Sequence, residues 1–157
     1  MLIEQAAIEA GGVPVDIIGA GMAGDYVSLK DYRNLTVVIQ QGAWAGGTAA
    51  VTLKQATDVA GTGEKALSFS TRWTQVALTG TGYTETVVSA DTFDLDTANT
   101  INVLEVDASD LDVDGGFDCV RVDVASPGAN SDLLCVTYVL TGARYASVTP
   151  LPDPKVD

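Results

Sequence analysis

Ile17-Ile-Gly-Ala-Gly-Met-Ala-Gly24 is the stretch on which the fold turns, because Gly19, Gly21 and Gly24 match the dinucleotide-binding fingerprint letter for letter. Glycines so spaced let a backbone turn tightly, approach a pyrophosphate and pack the following helix on its strand. The flanks supply a strand and little else. Val13, Val15, Ile17 and Ile18 are β-branched, although Pro14 and Asp16 interrupt them. After Gly24 a small, apolar, helix-forming segment is required, but the chain runs Asp25-Tyr-Val-Ser-Leu-Lys-Asp-Tyr-Arg-Asn34. Asp25 would set a carboxylate against bound phosphates. The next strand, Leu35 to Gln41, ends in Gln40-Gln41 with no acid to accept a ribose hydroxyl. No second βαβ pattern is present further along. The glycines therefore read as a turn, with glycine conformations at Gly19, Gly21 or Gly24, and nucleotide-cofactor binding is kept as the lesser alternative.

Composition points the same way. The 157 residues suit a single domain with a real core. Val, Thr, Ala, Gly and Asp dominate, which favours strands and turns. Eight basic and 21 acidic residues give a formal charge of −13, and there is no histidine. Such a surface repels phosphate backbones, so nucleic acid is not an expected partner. Without histidine the usual general base and the commonest zinc ligand are both missing. The first residues carry acids and no basic group, unlike a signal or transit peptide, and no apolar run reaches membrane-spanning length. A soluble protein made in a cytoplasm is the expectation, with no membrane partner.

Along the chain, residues 2 to 10 have Leu2, Ile3, Ala6 and Ala7 at helical spacing before Gly11-Gly12, which predicts a short N-terminal helix or arm over 1–12. Leu35 to Gln41, Ala49 to Asp58, Lys65 to Ser70, Trp73 to Leu78, Glu85 to Phe93, Thr100 to Asp107, Phe117 to Val124 and Leu133 to Leu140 read as strands. Thr62-Gly-Glu64 and Thr79-Gly-Thr-Gly82 read as turns. The expectation is an all-β fold: one antiparallel β-sandwich, jelly-roll-like, of about eight strands over 13–149. An extended tail over 150–157 completes the chain, because Pro150, Pro152 and Pro154 cannot join a central strand.

Candidate sites are few. Asp110, Asp112, Asp114 and Gly115 fit the start of a calcium loop, and Asp118 falls where a water-bridged ligand sits, but Arg121 stands where a bidentate Glu should close it. A solvated acidic hairpin loop is the preferred reading. Asp91, Asp94 and Asp96 are carboxylates close enough for acid–base pairing, yet such pairs arise by chance in so acidic a chain. Ser28, Ser68 and Ser70 have no histidine partner. Cys119 and Cys135 fall on successive strands; hairpin register decides whether they face each other, and free thiols are expected. Trp44, in a Gly/Ala loop, is the aromatic expected to be most exposed, as a sugar platform, a protein anchor or simple turn packing. No catalytic, cofactor-binding or metal-binding residue is assigned, and no enzyme is expected.

The segment from Asp25 to Phe69, with Tyr26-Val-Ser-Leu-Lys-Asp-Tyr-Arg-Asn-Leu-Thr-Val-Val-Ile39 and Thr48-Ala-Ala-Val-Thr-Leu-Lys-Gln-Ala-Thr-Asp-Val-Ala-Gly-Thr-Gly-Glu-Lys-Ala-Leu-Ser-Phe69, resembles a family of small tailed-bacteriophage virion proteins encoded near the major capsid protein. The resemblance implies a capsid decoration or cement protein that binds the major capsid protein on the capsid exterior and forms a homo-oligomer, a trimer by preference. A tail or neck component, at the head–tail connector, is the alternative. An acidic chain suits the outside of a shell whose interior faces packed DNA. Residues 1–12 and the Pro-rich tail are then candidate shell-binding arms.

Overall fold

A computed structural model describes residues 4–76, 82–145 and 151–155. The described residues form an antiparallel β-sandwich of twelve strands: β1 (Ala6–Asp16), β2 (Met22–Ala23), β3 (Val27–Ser28), β4 (Asn34–Trp44), β5 (Ala49–Ala56), β6 (Lys65–Ala66), β7 (Phe69–Val76), β8 (Thr84–Ala90), β9 (Thr92–Leu95), β10 (Thr100–Asp107), β11 (Cys119–Val124) and β12 (Asp132–Thr141). The first sheet has the order β1-β12-β4-β10-β7-β8. The second has the order β2-β11-β5-β6, with β3 also on β11 and β9 also on β5. Among the described residues no helix is long and apolar enough to cross a membrane.

Alternation builds both sheets. In β4, Leu35, Val37 and Ile39 are buried while Thr36 and Val38 point outward; in β11, Val120, Val122 and Val124 are buried while Arg121 and Asp123 point outward. Period-two burial of this kind puts one face of each strand in the core. The core joins residues of both sheets, among them Leu104, Tyr138 and Leu140 from the first and Val51, Leu53 and Val122 from the second. Phe69 of β7 meets Phe93 of β9 edge-on at 5.9 Å, a direct link between the sheets.

Several expectations are corrected. The helix or arm over 1–12 is, from Ala6 onward, the first eleven-residue strand of the sandwich, running across that boundary. It pairs with β12 from Ala6↔Thr141 to Asp16↔Leu133, and those long-range bonds outweigh a nine-residue helix that is marginal alone. Leu2 and Ile3 lie outside the described residues. Gly11 does not stop an element: a Cβ there would lie 2.5 Å from the Tyr138 ring. The single strand expected over Glu85 to Phe93 is broken at Asp91 into β8 and β9, which belong to different sheets. Lys65 to Ser70 likewise divides into β6 and the start of β7, and Trp73 falls in mid-strand. Ala77, Leu78, the turn residues 79–81 and Pro150 lie outside the described residues. Four strands of two to four residues lift the count above eight.

The Pro-rich tail folds back on the body instead of projecting as an arm. Ser28 donates its N–H to the Pro154 carbonyl at 2.7 Å, and the Tyr32 hydroxyl donates to the Pro152 carbonyl. Lys155 reaches Asp25 at 3.0 Å and the Ala10 carbonyl at 3.2 Å.

Candidate functional site

The two outer faces of the sandwich differ in charge. On the first sheet the register sets Ala10, Thr137, Val38, Val103 and Trp73 in one row across five strands. Ile8, Val139 and Thr36 form the row on one side, and Cys135, Gln40 and Ile101 the row on the other. None of these eleven side chains is charged, in a chain of charge −13, but two of the rows run on into carboxylates, with Glu105 beside Thr36 and Glu85 beside Trp73. These two carboxylates, with Asp107 and Asp110, border the uncharged patch and surround a shallow concavity of about 600 Å³ that Trp73 also lines. β-Branched residues side by side on central strands shield each other, so the face is firm and half-buried before anything covers it. Covering it removes further apolar surface from water at roughly 25 cal/mol per Å².

The second sheet's outer face is polar and internally neutralised. Lys54 binds Glu64 at 2.6 Å and Asp123 at 2.8 Å, while Arg121 binds Glu64 at 2.7 Å and Asp123 at 3.0 Å, closing a ring of four charges. The Tyr26 hydroxyl donates to Glu64 at 2.8 Å, and the Arg121 guanidinium stacks 4.9 Å from the Tyr26 ring centre. Lys54 and Tyr26 hold the Glu64 carboxyl below its ordinary range. Asp123 and Glu64 together raise Lys54, and burial raises Tyr26. Its cations satisfied, this face offers little to an acidic or basic partner.

A polar cluster lies inside the sandwich, and sequence reading missed it. Gln41 donates to both carboxylate oxygens of Asp132, at 2.9 and 3.0 Å, and accepts from Thr100 at 3.1 Å. Asn102 donates to Thr100 at 3.2 Å and accepts from Thr74 at 2.9 Å. The Asp132 N–H and the Ser131 hydroxyl both donate to Asp16, at 3.0 and 2.6 Å. Asp132 is fully buried, and desolvation pushes its carboxyl above the ordinary range, while the Ser131 hydroxyl holds Asp16 below it. The only signal in the sequence is that Gln41, Thr100 and Asn102 occupy inward positions of otherwise apolar strands.

The residues singled out in the sequence are dispersed. Gly19 and Gly21 take φ of 72° and 74° in the turn that carries the chain from β1 to β2, as the turn reading requires. Gly24 is close-packed instead: a Cβ there would lie 2.5 Å from the Val122 carbonyl oxygen. Beyond Gly24 the chain enters the short strand β3 rather than a helix, and Asp25 pairs with Lys155. In the acidic loop Asp110 accepts the Asp107 N–H, Asp112 pairs with Lys65 and accepts the Gly115 N–H, and Asp118 bonds the Cys119 thiol. The carboxylates thus serve separate local contacts, and no group of three metal-ligating side chains occurs among the described residues. Asp94 and Asp96 are both exposed, with Asp96 accepting the Thr97 hydroxyl. Ser28 is buried, its Oγ accepting the Lys30 N–H, whereas Ser68 and Ser70 are exposed on either side of the buried Phe69.

Two readings are corrected here. Cys119 and Cys135 are free thiols, but β11 and β12 lie in different sheets and form no hairpin, so register never brings them face to face. Trp44 is half-buried, opposite Asp132, with its Nε1 shielded from water and unpartnered. The exposed aromatics among the described residues are Trp73, Tyr83 and Tyr145.

No protein-family model matches the chain, and no curated protein matches it. A solved structure does: the SPBc2 prophage-derived protein YomS superposes with a TM-score of 0.50 at 13% identity, covering 87% of this chain and 93% of that one. The two share a fold.

Proposed function

We propose that this chain is a non-enzymatic structural protein of a tailed-phage virion, a decoration or cement protein that binds the major capsid protein on the outside of the shell. The observation that carries the reading is the uncharged patch on the outer face of the first sheet, centred on Val38 and Val103 and bordered by Glu85 and Glu105, in a chain otherwise rich in carboxylates. The shared fold with a prophage-derived protein and the resemblance over Asp25 to Phe69 support a phage origin. Adding the face to a capsid buries apolar surface without stranding a buried charge, and repetition over the lattice multiplies a modest contact. The internally paired face of the second sheet then points to solvent, where its satisfied charges leave little for another partner to bind.

The test is reconstitution on capsids that lack the protein, followed by cryo-electron microscopy and by heating with and without it. Density over the capsid lattice and a higher rupture temperature are expected. Density at a single vertex makes the chain a tail or neck component, and equal rupture removes the stabilising role.

A further inference from the structure

Among the described residues three aromatic rings carry one of the chain's own cations. Lys65 sits 3.9 Å from the centre of the Phe117 ring and pairs with Asp112, and Arg121 sits 4.9 Å from the centre of the Tyr26 ring and binds Glu64 at 2.7 Å. Arg72 lies 4.7 Å from the centre of the Phe93 ring. In the first two a carboxylate beside the ring holds the cation over it, so ring and carboxylate attract the same charge. Trp73 repeats that arrangement without a cation. It is 36% exposed, Glu85 stands directly opposite it on β8, and Glu105 lies two positions beyond Val103, its partner on β10, on the same outward side. Opposite residues in such pairs have Cβ atoms about 5 Å apart and diagonal ones about 7 Å, both within reach of one cationic head. Neither glutamate makes an ion pair or a side-chain hydrogen bond among the described residues. Asp107 and Asp110 cap one turn together, and Asp107 also pairs with Arg33, so the free carboxylates of the concavity are the two that flank the ring.

We propose that the concavity at Trp73 receives an arginine side chain from the protein surface that covers the uncharged patch, with its guanidinium stacked on the indole and bonded to Glu85 and Glu105. This rests on the reading that the patch is a docking surface, and it adds what the docked surface carries: an apolar area with an arginine at its border. Charge selects this occupant. A neutral or acidic group brought against Glu85 and Glu105 strands two carboxylates as water leaves, whereas a guanidinium compensates both. Arginine fits better than lysine, because its planar head lies flat on an aromatic ring while its edge donates in a fork to carboxylates. A lysine ammonium is a compact, strongly hydrated point charge with no such edge.

The full chain, isotope-labelled, is titrated with the tripeptide acetyl-Gly-Arg-Gly-amide while its two indole N–H signals are followed by nuclear magnetic resonance, Trp73→Phe assigning them. A saturable shift of the Trp73 signal in the millimolar range is expected, with the Trp44 signal unmoved. The matching citrulline peptide, of the same shape without the charge, should move neither. Glu85→Gln with Glu105→Gln should weaken the arginine peptide about tenfold, while Asp94→Asn with Asp96→Asn, which removes the same charge elsewhere, should not. No Trp73 shift, an equal shift with citrulline, or equal weakening in both double variants overturns the proposal. Capsids lacking the protein keep the two readings apart. The double glutamine variant should bind them more weakly and with less dependence on salt than the native chain. If it binds equally, at equal salt dependence, the Trp73 contact falls and shell binding stands. If the native chain itself fails to bind, shell binding falls and the peptide titration decides the Trp73 site.

Discussion

The hydroxyl of Tyr138, a first-sheet residue, accepts the buried backbone N–H of Val122 in the second sheet at 2.9 Å. Val122 lies on β11 between the stretch paired with β3 and the stretch paired with β2, where no strand residue supplies an acceptor. Its carbonyl takes the Gly24 N–H at 2.8 Å on the same side. The tyrosine thus fills a gap in one sheet from the other. A Cβ on Gly11 would lie 2.5 Å from the Tyr138 ring, and one on Gly24 would lie 2.5 Å from the Val122 carbonyl oxygen and 3.0 Å from the Tyr138 hydroxyl.

Tyr138→Phe leaves the Val122 N–H buried without a partner, and an orphaned buried donor costs about 1–3 kcal/mol. Equilibrium urea unfolding should show a lower midpoint at unchanged slope. An unaltered midpoint would mean that water replaces the hydroxyl.

Alanine at the three motif glycines should separate by mechanism. Gly19 has open space around its Cβ position and φ of 72°, so Gly19→Ala bears only left-handed strain of about 1–2 kcal/mol. Gly21→Ala adds contact at 2.5 Å with the Val124 carbonyl, and Gly24→Ala contact at 2.5 Å with the Val122 carbonyl. Backbone cannot move aside cheaply, so both should melt below Gly19→Ala. The reverse order would contradict the packing.

Acid titration has opposite signs at two carboxyls. Glu64 is depressed below 4.5, so its stabilisation is present above that value and lost as pH falls through the folded-state value. Asp132 is raised above 3.8, so its contribution is full below that value and lost as pH rises through its higher folded-state value. Melting temperatures across pH should show Glu64→Gln converging on the native chain below about pH 4.5. The gap between Asp132→Asn and the native chain should instead shift in the native chain's favour as pH falls toward about 4. Parallel curves would contradict both assignments.

Millimolar calcium should leave the melting temperature unchanged. Lys65 neutralises Asp112, and Asp110 and Asp118 are engaged with separate partners. A calcium-dependent rise would require the loop to rearrange around the ion.

Val103→Glu places a carboxylate at the middle of the uncharged face, on an outward position, and should abolish capsid binding while changing stability by less than about 1 kcal/mol. Retained binding would move the contact to another face.

Strands such as Thr100–Asp107 were legible because their alternation is unambiguous, and the structure returns the same bounds. β1 was not, because Ala6, Ala7 and Ala10 fit a helix as well as a strand, and what decides between them is β12, more than a hundred residues away. The buried Asp132 was invisible for the same reason: a polar residue at a strand start reads as surface until Gln41, from a different strand, is set against it. The uncharged face was half legible. Alternation separates Val38 from Val37 and Val103 from Leu104, but only the sheet order reveals that the uncharged sides form one surface.

The place of β12 between β1 and β4 has a consequence for biosynthesis. A nascent chain that has emerged only as far as Ser131 already contains both neighbours of that strand and has nothing to put between them. Two long edges stay open until β12 itself has left the ribosome, so truncation or stalling before Asp132 yields an aggregation-prone product.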